Sequence, residues 1–216
     1  MNRMITKNEV HGIAYGIFFM AFFGTLWAGI GIGGLQDWVS PWFISIVLLV
    51  GIILMICFAT LFYGARNLSK PVSERDVRMR KRLGKWFGII SSMEGIFIGL
   101  ASIICNALNH FEYFFPVMAL IVGIHFFPLA KLFRVRIHYI AGGLLCLLSV
   151  ITLLFIPEYY QFANHQILLW WIVLGFGSAV TLWGTGFALW WMGHRLLRNA
   201  LNQKYILNQS LEDREG

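Results

Sequence analysis

The chain has 216 residues, 58% of them apolar and only 12% charged. Soluble domains average about 45–50% apolar and about 25% charged, so this composition excludes a disordered chain and argues against a water-soluble globule. The net charge is +7, from 17 Lys and Arg against 10 Asp and Glu, and in so apolar a chain the placement of those charges matters more than their sum.

A membrane-crossing helix needs about 20 predominantly apolar residues. Six such runs follow one another, at 12–34, 42–64, 86–108, 113–132, 137–156 and 167–193. The expected fold is all-α: one integral membrane domain of six transmembrane helices, with 194–216 as a partly helical cytoplasmic tail. The first run follows Arg3 and Lys7 as a signal peptide would. Its apolar stretch far exceeds the about 7–15 residues of a signal core, and it has no small-x-small cleavage pattern, so a retained helix is expected. Gly12 and Gly16 in this run make a small-xxx-small pair suited to close helix packing. The run of glycines from Gly29 to Gly34 lacks the preceding strand that a nucleotide fingerprint requires. Thr25-Leu26-Trp27 recurs as Thr181-Leu182-Trp183 in the last run, which is too short a match to establish an inverted repeat.

Between the second and third runs, Arg66 to Lys85 carries eight positive charges. Pro71, with Ser69 or Ser73 as a cap, suits a helix start that runs into the third span. Arg78, Arg80, Lys81, Arg82 and Lys85 are the expected contacts to anionic lipid headgroups, at about 1 kcal/mol each. No aromatic interleaving supports nucleic acid as a partner. All 17 basic residues fall in the N-terminal tail, the second and fourth loops and the C-terminal tail, while the other three loops carry Asp37, Glu112 and Glu158. By the positive-inside rule both termini are cytoplasmic. Trp38, Trp42, Trp170 and Trp171 at one set of ends, and Trp86, Trp190 and Trp191 at the other, form two interfacial belts.

The third run is two-faced. At about 100° per residue, Gly88, Ser91, Glu94, Gly95, Gly99, Ser102, Cys105, Asn106 and Asn109 share one arc, with Phe87 and Ile98 as apolar exceptions inside it. Polar residues in a span normally face the bundle or a hydrated cavity. Glu94 is the one acidic residue inside any run, and a carboxylate at that depth needs a partner. The fourth run supplies His125. Glu94 lies eight residues from the inner end at Trp86, and His125 seven from Leu132, so the two stand at similar depth on adjacent, oppositely directed helices. Pro128 removes the N–H that would bond the Ile124 carbonyl and predicts a kink beside His125. Ser91, Ser92 and Thr60 are candidate hydroxyl neighbours. The expected site is a titratable polar pocket of Glu94, His125, Ser91, Ser102 and Asn106. The same pair would serve equally to fix helix register, or His125 would pack alone among Met118, Val122 and Leu129.

Cys57, Cys105 and Cys146 are dispersed within runs, so neither a disulfide framework nor a metal site is expected. The remaining histidines, His11, His110, His138, His165 and His194, read as interfacial. No cofactor is implied.

The stretch 112–143 reads EYFFPVMALIVGIHFFPLAKLFRVRIHYIAGG. Its F-F-P-x-M-x-L-I-V-G and R-I-x-Y-x-x-G patterns resemble bacterial polytopic inner-membrane proteins of unknown function. The resemblance implies a bacterial inner membrane and transfers no catalytic residue. Three functions fit in descending order. A small transporter, permease or channel subunit comes first, with a homodimer or unknown membrane partner expected for so small a bundle. A non-enzymatic accessory, immunity or sensing protein is second. An intramembrane lipid enzyme is third, because no HExxH or carboxylate cluster appears.

Overall fold

The computed structural model describes residues 7–36, 39–68, 74–162 and 165–215. Six α-helices follow in chain order: α1 (Lys7–Gly34), α2 (Pro41–Gly64), α3 (Glu74–Ala107), α4 (Phe114–Phe133), α5 (Ile137–Phe155) and α6 (Leu169–Glu215). Each contains a stretch long and apolar enough to cross a membrane. The architecture is therefore helical as the hydropathy predicts, with one addition. Tyr159–Phe162 (β1) and His165–Leu168 (β2) form an antiparallel hairpin ahead of α6, pairing Tyr159 with Leu168 and Phe162 with His165.

The helix ends follow local chemistry. α2 starts with Pro41 in its first turn after an extended Ser40, where a missing N–H costs nothing. α3 closes through Asn109 in the left-handed region, with the His110 N–H donating to the Cys105 carbonyl at 2.9 Å. α4 closes the same way through Arg134, and the Val135 N–H donates to Ala130 O at 3.2 Å. Only a turn separates α4 from α5, so the two are antiparallel neighbours. The basic stretch from Glu74 is continuous with α3, and α6 runs on to Glu215. The expected caps Ser69 and Ser73 and the expected helix-start Pro71 lie outside the described residues.

The core is built around α1 and α6, which make the most extensive helix pair. Their seam depends on absent side chains. A Cβ on Gly175 would overlap the Gly31 backbone, and one on Gly24 would lie 2.6 Å from the Trp183 indole nitrogen. Close backbone approach of this kind maximises dispersion contact between helices. Gly16 shares the seam, facing Leu189, whereas Gly12 meets nothing. Ile17, Leu54, Leu174 and Leu182 fill the interior. α2 packs on α1 and α6; α5 packs on α6 and α4; α3 packs mainly on α4 at the edge. Of the most apolar stretch of α3 only 6% is buried, against 44% for α6.

At the hairpin end, aromatic contacts tie the bundle together. The Trp170 indole donates to Ile156 O at 2.8 Å, Tyr113 meets Trp170 edge-on at 5.4 Å, and Phe115 meets Trp171 at 4.6 Å.

Candidate functional site

α3 reaches α4 along one stripe. Leu83, Phe87, Ile90, Ser91, Glu94, Ile98, Ala101, Ser102 and Cys105 are the shielded positions among its described residues, while Gly84, Gly88, Ser92, Gly95, Gly99 and Asn106 are exposed. They recur once per turn, every three or four residues, as a single helix contact requires. This rotates the expected pocket. Phe87 and Ile98 looked like exceptions in the polar arc, yet they lie on the contact side. The glycine side of the arc faces outward, and a Cβ at Gly84, Gly88, Gly95 or Gly99 would meet nothing within 4 Å. Phe87 also meets Phe133 of α4 and Phe19 of α1, both at 5.9 Å.

Glu94 and His125 come together. Glu94 Oε1 stands 3.4 Å from His125 Nδ1, and their side chains are 20% and 13% exposed. The distance is that of an ion pair, but the same nitrogen lies 3.2 Å from the Val122 carbonyl. An Nδ1–H donates to Val122 O and presents only a glancing contact to the carboxylate. The carbonyl in contact with the His125 ring is that of Val122. α4 continues through Pro128, whose ring is exposed.

Of the other expected members, Ser91 and Ser102 are partly shielded on α3 and Asn106 is exposed. Thr60 is elsewhere: its hydroxyl donates to Cys57 O at 2.8 Å and receives the Trp190 indole at 3.4 Å. The side chains of Arg78, Lys81, Arg82 and Lys85 are exposed on the first turns of α3. That of Arg80 lies outside the described residues.

One member of this region was missed. His138 reads as interfacial in the sequence, yet it is 6% exposed, and its Nδ1 is buried without a hydrogen-bond partner among the described residues. A buried polar atom left unpaired costs about 1–3 kcal/mol. His138 packs against Phe126, whose ring centroid is 5.7 Å from it and 5.1 Å from His125. Its burial follows from the close approach of α4 and α5. A Cβ on Gly142 would lie 2.7 Å from Gly123 O and 3.0 Å from Phe126 Cβ. Gly142 stands four residues after His138, on the same helix face.

Among the described residues, no group of three His, Cys, Asp or Glu is placed to hold a metal ion. The three cysteines are free thiols. A family model, described as a family of unknown function (DUF7010), matches residues 7–185. The chain belongs to the DUF7010 family. The match to DUF7010 takes in Glu94, His125 and His138 and stops within α6. No curated protein and no solved structure matches the chain.

Outside the helices, the hairpin end of this DUF7010 member carries its own polar contacts. His110 Nδ1 and Glu112 Oε1 are 2.6 Å apart. The Glu158 carboxylate beside Tyr159 accepts from its hydroxyl and pushes the phenol above its ordinary range.

Proposed function

We propose that the protein is a small multi-pass transporter, permease or channel subunit of a bacterial inner membrane, with Glu94 and His125 forming its titratable polar pocket. The observation that carries this reading is the carboxylate–imidazole pair at 3.4 Å, held between α3 and α4 in a bundle with a broad exposed apolar belt. Met93, Ile96, Phe97, Leu100 and Ile103 of α3 and Ile46, Leu49, Ile52 and Ile56 of α2 are all exposed. Such a belt suits a bilayer and would be a liability in water. Ionisable groups kept at that depth are expensive, and their usual role is to handle an ion or a polar substrate. The distribution of Lys and Arg supports cytoplasmic termini, and the exposed Arg78, Lys81, Arg82 and Lys85 support contact with anionic headgroups.

The test is charge movement. The full chain, reconstituted in vesicles on a solid-supported membrane, is exposed in turn to Na+, K+, Cl− and proton gradients. Wild type gives a current with at least one ion, and Glu94→Gln reduces it at least about tenfold. Absence of protein-dependent current with all four ions overturns the reading.

A second reading, an accessory subunit bound to another membrane protein or to a second copy, is favoured by one observation. The open side of α3 carries Gly84-x-x-x-Gly88 and Gly95-x-x-x-Gly99, the spacing that lets membrane helices approach closely. Cross-linking through cysteines placed at Ser92 and Gly99 in native membranes separates a second copy from a different partner by mass.

A further inference from the structure

Three described side-chain groups in the helices keep a buried polar nitrogen or oxygen without a hydrogen bond: His138, Ser178 and Trp183. Of these only His138 carries an ionisable side chain. It is also the one placed beside the Glu94–His125 pair, through the Phe126 ring that touches both imidazoles. An unsatisfied buried group in a folded chain asks for an explanation, and function is one of the few available.

The elements packed against α5 bring few titratable groups. The segment 169–193 of α6 contains none, with His194, Arg195 and Arg198 following it, and α4 contributes His125 with Lys131 in its last turn. α5 itself adds Tyr139 and Cys146, and α3 adds Glu94 and Cys105. Arg134 and Arg136 lie just ahead of α5, at the end of the bundle where His138 sits. His138, His125 and Glu94 thus lead from that basic end towards the middle of α3. Beyond Glu94, Ser102 lies on the same shielded stripe of α3, and the helix ends ahead of the His110–Glu112 pair.

We infer that His138 is the third member of a proton relay, His138–His125–Glu94, and that the ion handled by this site is the proton. The inference rests on the transport reading and names its cargo. The steps balance without any co-reactant. A proton taken from the basic-end solvent converts neutral His138 to imidazolium. Its transfer to neutral His125, through ring rotation beside Phe126 or one bridging water, returns His138 to neutral. Transfer from His125 Nδ1 to Glu94 Oε1 leaves a neutral imidazole and a carboxylic acid, and loss of that proton to water on the far side restores the carboxylate.

The experiment uses the full chain in vesicles of phosphatidylethanolamine and phosphatidylglycerol, with a pH-sensitive dye inside and an imposed proton gradient. Wild type dissipates the gradient. Glu94→Gln, His125→Gln and His138→Gln each slow this at least about tenfold, while His194→Gln, on an exposed ring stacked against Trp190, leaves it unchanged. Wild-type flux in His138→Gln, alongside loss in Glu94→Gln, removes His138 from the relay. Glu94-dependent Na+, K+ or Cl− current without proton flux overturns the proton as cargo and leaves the transport reading standing. A second measurement avoids any folding defect of the variant: ring 15N shifts of histidine-labelled wild type in lipid. Both His125 and His138 titrate, and Glu94→Gln shifts both midpoints; a His138 ring unmoved from acid to alkaline pH overturns the inference.

Discussion

Two helix pairs in this molecule are rich in glycine, and they use it in opposite ways. Along the α1–α6 seam, Gly31 and Gly175 bring backbones together, and Gly24 accepts the Trp183 ring. Along α3 the glycines turn away from α4, and the contact is made by Phe87, Glu94, Ile98 and Cys105. The first arrangement builds a rigid core through dispersion and backbone fit. The second leaves the helix that carries Glu94 joined to the bundle along one narrow stripe. The most tightly packed part of the bundle thus lies away from the ionisable pair.

The largest effect should come from the seam. Gly175→Ala places a methyl group into the Gly31 backbone and is expected to cost about 3 kcal/mol, read as a lowered thermal unfolding midpoint of the detergent-solubilised chain. A midpoint equal to wild type would show that the seam is looser than described. Between the seam and α3 stands the α4–α5 contact, where the Ser149 hydroxyl donates to Pro116 O at 2.7 Å in a buried setting. Ser149→Ala is expected to cost about 1–2 kcal/mol by the same measurement. The smallest effect should be on the open side of α3. Gly99→Ala adds a methyl group to empty space and improves helix propensity, so the isolated chain gains up to about 1 kcal/mol. A loss of stability there in native membranes, but not in dilute detergent, would mean that another helix covers this face.

Much of this was legible in the sequence for simple reasons. Helix number follows from apolar runs, and the meeting of Glu94 with His125 follows from equal depth on antiparallel neighbours. The rotation of α3 was not legible. Periodicity assigns an angle to each residue but does not say which side a neighbour covers. Phe87 and Ile98 were the available clue, since large apolar residues inside a polar arc mark a contact side. The burial of His138 depends on the Gly123–Gly142 approach, a feature of two helices together that neither shows alone. The hairpin was hidden because Ala163 and Asn164 between its strands spell no turn signal. Its strands are only four residues each.

α6 has one more consequence. Its 47 residues form a continuous helix, about 70 Å long at 1.5 Å per residue, more than twice the about 30 Å depth of a bilayer's hydrocarbon core. One end begins at the hairpin, and beyond the apolar part Leu197 and Ala200 remain buried, with Leu197 lying against Gly64. The helix therefore works as a fixed strut: one unbroken ladder of backbone hydrogen bonds sets the distance between the hairpin and the basic tail, and the packing at Leu197 holds that spacing.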